Sequence, residues 1–174
     1  MLGPCCLRYT RGMKTQKALF AAGCFWGVQY YFDQVPGVIK SIAGYTGGHT
    51  ENPTYDEVCS HTTGHAEAVL LEYDPDKVTY KTLLRQFFRM HDPTQFNRQG
   101  PDVGDEYRSA IFYFDPWQHK EAVEVRNARQ KEIDTPVVTQ IEKAGPFYPA
   151  EEYHQKFTEK TGMGMCHIPY APVS

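Results

Sequence analysis

From Lys17 to Gln34 the chain reads Lys-Ala-Leu-Phe-Ala-Ala-Gly-Cys-Phe-Trp-Gly-Val-Gln-Tyr-Tyr-Phe-Asp-Gln. Lys17 and the apolar run Ala18 to Ala22 read as a short buried strand, broken by Gly23. Beyond the glycine the period changes. Phe25, Val28, Gln29 and Phe32 are spaced for one face of a helix that ends before Pro36-Gly37. Val38 to Tyr45 is a second strand, and a glycine-rich loop runs from Gly44 to Pro53. His65 to Tyr73 is a third strand, stopped by Asp74-Pro75. Thr79 to His91 is an amphipathic helix with Leu83, Leu84, Phe87 and Phe88 inward, closed by Asp92-Pro93. After a loop from Pro93 to Glu106, Tyr107 to Phe114 is a fourth strand. The order strand, helix, strand, strand, helix, strand is the split βαββαβ (ferredoxin-like) arrangement. The fold class is therefore α+β, a two-layer sandwich with helices on one face of a mixed or antiparallel sheet. Downstream, Asp115-Pro116 caps a long polar helix to about Ile133, Val137 to Glu142 is a last strand, and Pro149 opens a short helix to about Phe157. An irregular tail, 158–174, follows.

The composition fits one domain, 17–174, behind a flexible segment 1–16. Its 174 residues are 41% hydrophobic, enough for a sizeable core. A net charge of −3 leaves no basic field to hold nucleic acid. The longest nearly apolar stretch, Ala18 to Val28, is far too short to span a membrane. An odd number of cysteines, 5, cannot all pair, and a chain of this size needs no disulfide staples. With no apolar leader between Met1 and Met13, the expected compartment is the cytoplasm, with organelle import through a trimmed, mildly basic N-terminus as the alternative. Cys5 and Cys6 lie in that segment. The expected oligomeric state is a monomer.

Three places carry candidate chemistry. Cys24 sits at a strand-to-helix junction, where free backbone N–H groups and the helix dipole favour a thiolate. Phe25 and Trp26 would wall a small apolar pocket beside it. A buried packing cysteine is the competing reading. Glu67 shares a strand face with Val69 and Leu71, so burial would raise its pKa and suit it to general-acid work. An edge-strand glutamate facing water is the alternative there. Tyr107, after the polar run from Asp102, and Tyr55, in the loop before the third strand, could each donate a phenolic hydrogen bond into a cleft. With 12 tyrosines, packing with a wet hydroxyl is the rule for most. Cys59, His61, His65 and Cys166-His167 match no compact zinc pattern. Gly44, Gly47 and Gly48 lack the Lys-Ser/Thr of a phosphate loop and read as shaping a cleft.

Several blocks together resemble one family. Gly-Cys-Phe-Trp-Gly at 23–27, Gly-Tyr-Thr-Gly-Gly at 44–48, Thr-Gly-His-Ala-Glu-Ala-Val at 63–69 and His-Asp-Pro-Thr at 91–94 resemble peptide methionine sulfoxide reductase of the A type. Asn-Arg-Gln-Gly at 97–100, Asp-x-Gly-x-x-Tyr-Arg-Ser at 102–109 and Phe-Tyr-Pro-Ala-Glu-x-Tyr-His-Gln at 147–155 extend the likeness in order. The resemblance implies Cys24 as nucleophile, Phe25 and Trp26 as the pocket for the sulfoxide methyl group, and Glu67 as proton donor. It implies Tyr55 and Tyr107 as hydroxyls for the sulfoxide oxygen, Asp102 as a supporting acid and Cys166 as resolving cysteine, with Cys59 not catalytic. The implied reaction returns the S epimer of methionine sulfoxide, free or in proteins, to methionine through a Cys24 sulfenic acid and a Cys24–Cys166 disulfide. No cofactor or metal is implied, and a thioredoxin-like protein or dithiothreitol supplies electrons.

Three features depart from the family pattern. The tail carries one cysteine where many relatives have two. Asp105-Glu106 replaces a neutral pair that includes Gln, and His61 stands where glycine is common. The acidic pair is expected on the solvated surface; facing the cleft, it would raise the pKa of Glu67. Two other classes compete for Cys24: a thiol peroxidase or Cys–His hydrolase, and a methionine-binding or redox-sensing module without turnover. Neither enzyme alternative accounts for the aromatic wall.

Overall fold

The structure, a computed structural model, describes residues 14–168. Strand β1 (Gln16–Ala22) leads into helix α1 (Phe25–Asp33), then β2 (Val38–Thr46), helix α2 (Tyr55–Cys59), β3 (Ala66–Tyr73) and helix α3 (Tyr80–Met90). A two-residue hairpin, β4 (Arg98–Gln99) with β5 (Asp102–Val103), precedes β6 (Ser109–Tyr113) and helix α4 (Pro116–Gln130). The chain continues through β7 (Gln140–Lys143), β8 (Phe147–Pro149) and helix α5 (Phe157–Thr161). Among the described residues the main sheet has six strands in the order β7-β6-β1-β3-β2-β8. The inner four, β6-β1-β3-β2, are antiparallel neighbours, the order that a split βαββαβ unit produces. β7 adds parallel to β6 and β8 antiparallel to β2, so the sheet is mixed, as the sequence implies.

The two faces of the sheet differ in size of side chain. Phe20, Val69, Leu71 and Tyr45 point toward α1, α3 and α4, meeting Phe25, Phe32, Leu84, Phe87 and Val125 in the main core. Phe20 is its hub, with ring centroids of Phe32 and Phe87 5.5 and 5.3 Å away. Truncating such a ring to alanine costs about 3–5 kcal/mol. The opposite face carries mostly small residues, Leu19, Ala21, Ala66, Ala68 and Ala110 alongside Phe112, with Phe147 of edge strand β8 packed against them. Helix starts follow local chemistry. Asp115 accepts from the Gln118 N–H with Pro116 in the first turn, and Thr79 accepts from Thr82 N–H. No helix among the described residues is long and apolar enough to cross a membrane.

Several boundaries differ from the sequence reading. β1 already includes Gln16, which was assigned to the flexible segment; Met1–Met13, with Cys5 and Cys6, lie outside the described residues. The loop expected around Tyr55 is helix α2, opened by a full capping box of Thr54 and Glu57. Tyr107 does not open a strand: Asp105–Tyr107 is a 3₁₀ turn, and β6 begins at Ser109. The strand expected from Val137 starts at Gln140 as β7, because the Val137 and Val138 N–H groups go to Gln130 Oε1 and the Pro93 carbonyl instead of a ladder, and it is followed by one more strand, β8. Pro149 ends edge strand β8, where its missing N–H costs nothing, and the helix comes later, at Phe157–Thr161.

Candidate active site

Cys24 is the N-cap residue of α1, held there by Gly23 at φ +90°. A side chain at position 23 would press on His167 Cε1 at 2.6 Å and Gln99 Cβ at 2.7 Å, so only glycine lets the strand turn this closely. β3 brings Glu67 beneath the same helix start. Because β3 lies between β1 and β2, Glu67 is 1% exposed, which rules out the water-facing edge position. It sits opposite Tyr45 in register, and its Oε2 accepts the Phe25 N–H at 2.9 Å. A free N–H of the helix N-terminus is thus bound to the carboxyl.

That arrangement reverses one expectation. The helix N-terminus does not make Cys24 a resting thiolate. Burial pushes its pKa far above the usual thiol value and the neighbouring Glu67 carboxyl pushes further, outweighing the Trp26 N–H that favours the anion. Glu67 behaves as the sequence implies. Burial lifts its pKa to about 8, against the pull of the Phe25 N–H, with Glu106 and Asp102 adding to the rise. At neutral pH both groups hold protons.

The other expected groups gather around this pair. Tyr55 opens α2, its N–H donating to Glu151 Oε1 at 2.9 Å, and Tyr107 closes the 3₁₀ turn. Burial raises both phenol pKa values, and Glu67 raises them again from close by. Atoms of Cys24 Sγ, Cys166 Sγ and an Asp102 carboxylate oxygen all lie within 4.8 Å of one another. Cys24, Cys59 and Cys166 are free thiols. The tail is irregular after α5, yet Ile168 is buried in the main core and Gly164 lies against the Trp26 ring. Cys166 is therefore presented to Cys24 and not folded away. Phe25 is buried against Tyr45 and His154, with centroids 5.7 and 5.1 Å apart. Trp26 is partly buried, stacked on Phe157 at 3.8 Å, and its Nε1–H donates to His154 Nδ1 at 2.9 Å.

The family model for peptide methionine sulfoxide reductase matches residues 16–174. The chain belongs to that family. As a peptide methionine sulfoxide reductase family member it is an oxidoreductase. It is 54% identical over 156 residues to the peptide methionine sulfoxide reductase MsrA of Geobacter sulfurreducens, covering 87% of this chain and 94% of that one. Methionine sulfoxide reductase A of Corynebacterium diphtheriae superposes with a TM-score of 0.82 at 34% identity, covering 90% and 84% of the two chains. Mxr1 from Saccharomyces cerevisiae in reduced form gives 0.84 at 31% identity, covering 90% and 93%. The same yeast protein in complex with Trx2 gives 0.60 at 26%, covering 82% and 84%.

The candidate site includes groups that residue-by-residue reading of the sequence leaves without a role. His154 lies in the 147–155 block, where residue type alone assigns it no role. Its ring meets Trp26, Phe25 and Tyr55, and burial lowers its pKa, so it accepts the indole proton as a neutral ring. The signal was Trp26 itself, since an indole N–H in packed surroundings needs an acceptor. Glu151 ties Tyr45 Oη and the Tyr55 N–H together. Glu106 is buried, which corrects the solvated-surface expectation for that half of the Asp105-Glu106 pair, while Asp105 stays about a third exposed. His65 spends both ring nitrogens on the glycine-rich loop, at Gly48 N–H and the Thr50 carbonyl. A groove of about 630 Å³ between α3 and α4, lined by Lys81, Arg85, Phe88 and Glu124 among others, contains none of the candidate residues.

Proposed function

We propose that this chain reduces the S epimer of methionine sulfoxide, free or within proteins, with Cys24 as nucleophile and Glu67 as proton donor. The observation that carries the reading is the buried Glu67 carboxyl, bound to the N-terminus of α1 directly beside Cys24, with the Cys166 sulfur within 4.8 Å. In this reading the sulfoxide methyl group rests against Phe25 and Trp26, and its oxygen takes hydrogen bonds from Tyr55 and Tyr107. Glu67 gives its proton to that oxygen as the Cys24 sulfur attacks the sulfoxide sulfur. The protonated oxygen then passes from the substrate sulfur to the Cys24 sulfur as the S–O bond and the transient S–S bond break, methionine leaves, and Cys24 becomes a sulfenic acid. Glu67 regains a proton, the one the thiol gave up, so the step balances without a cofactor. Cys166 next attacks the sulfenic sulfur, forming a disulfide and releasing water, with Asp102 beside both sulfurs as the supporting acid. A thioredoxin-like dithiol restores the two thiols by exchange; the Mxr1–Trx2 complex supports this choice of reductant.

A racemic methionyl sulfoxide peptide with dithiothreitol tests the proposal. Consumption should stop at half the substrate, because each epimer needs its own enzyme type. A protein that consumes none, or both epimers equally, would refute it.

A further inference from the structure

Two residues 45 positions apart, His61 and Glu106, meet near Glu67. Glu106 is a second buried carboxylate, on the turn that packs against β3. A side chain at Gly104 would overlap this carboxylate, so the backbone at φ +155° makes its seat. His61 Nδ1 lies 2.8 Å from Glu106 Oε2 and 3.4 Å from Asp105 Oδ1. A carboxylate oxygen only accepts, so Nδ1 carries the proton. His61 reaches it from a left-handed backbone at φ +59°, a conformation that a non-glycine residue adopts under strain. A buried carboxylate without a donor takes up a proton or is expelled; this one has a donor built for it.

We propose that His61 and Glu106 are positioning residues that keep a fixed negative charge behind Glu67 and so extend, toward alkaline pH, the range in which Glu67 can deliver its proton. The inference rests on the role of Glu67 proposed above. His61 holds the Glu106 carboxyl in place through the 2.8 Å contact, on the turn that packs against β3, and from there Glu106 opposes ionisation of Glu67. Other groups face Glu67 too: Cys24, Tyr45, Tyr55, Cys59, Asp102, Tyr107 and Cys166. Asp102 acts in the same direction as Glu106, but after it in size. Around the dyad stand Asp105, on the same histidine, and Arg108, whose guanidinium is turned to Gln140, Gly64 and the Asp105 carbonyl and not to the Glu106 carboxylate.

Glu106→Gln isolates the charge, since an amide of the same shape still accepts from His61. Replacing Asp105-Glu106 by Thr-Gln is the second variant, and circular dichroism checks that both fold. The Glu67 carboxyl is followed directly by carbon NMR of labelled glutamate, assigned by its loss in Glu67→Gln, alongside the pH profile of kcat/KM. In both variants the Glu67 midpoint should fall by about one pH unit, and the alkaline limb should fall with it. The acidic side of the profile should keep its position. An unmoved midpoint would overturn the proposal, as would a uniform loss of activity with the limb in place. The NMR midpoint needs no turnover, so it separates failure of this inference from failure of the reductase reading.

Discussion

Replacing Glu67 with Gln should stabilise the protein at alkaline pH while disabling it. The folded state holds the Glu67 proton up to about pH 8, whereas the unfolded chain releases it near 4.5. Between those values the folded state binds more protons, so stability falls as pH rises. At about 1.4 kcal/mol per pH unit, the whole window amounts to as much as about 5 kcal/mol. Complete burial of the carboxyl means that solvent screening takes little from this figure. Glutamine does not titrate, and its carbonyl can still accept the Phe25 N–H. Its amide adds a buried donor, whose cost when unpaired is about 1–3 kcal/mol and does not vary with pH. Urea unfolding of both proteins from pH 5 to pH 9 supplies the assay, because groups common to the two proteins cancel in the difference. The wild-type protein should lose several kcal/mol relative to Glu67→Gln on going from pH 5 to 8, then level off. A difference that stays constant with pH would refute the argument and remove the physical basis for Glu67 as an acid. Turnover of the same variant should drop by roughly 10²–10⁴-fold with substrate binding retained.

Other expectations follow from the same geometry. Cys24→Ser should abolish turnover and keep the melting temperature close to wild type, as measured by dithiothreitol-coupled methionine release and calorimetry. Cys166→Ser should still release one equivalent of methionine in a single turnover, but its thioredoxin-supported rate should fall by roughly tenfold or more; an unchanged rate would move the resolving role to another thiol. His154→Leu strands the Trp26 indole N–H, so it should cost about 1–3 kcal/mol in chemical denaturation and raise KM more than it lowers kcat.

Legibility in the sequence tracks how local each cause is. The change of period across Gly23 shows β1 and α1, and the apolar alternation from Ala66 to Leu71 shows both β3 and the face that Glu67 occupies. The capping box at Thr54 and Glu57 was equally local, and α2 was readable from it. What failed was set by partners far along the chain. The protonation of Cys24 depends on Glu67, whose bond to the Phe25 N–H spans 42 positions. No reading of the α1 start alone includes a buried carboxyl against it. Glu106 looks like a surface charge until His61, 45 positions earlier, is folded onto it. Pro149 has the chemistry of a helix start and of an edge strand alike, and pairing of Gly44 with Pro149 decides between them. The approach of Cys166 to Cys24 was expected only from family likeness, since it depends on Ile168 anchoring the tail in the core.

The most direct test of the account is a single turnover without reductant. The reduced protein is mixed with a peptide carrying the S epimer of methionine sulfoxide, quenched by alkylation and mapped by mass spectrometry. The account predicts one equivalent of methionine peptide per protein and a disulfide-linked pair of peptides containing Cys24 and Cys166. Methionine formed while Cys24 remains an alkylatable thiol, or no methionine at all, would contradict it.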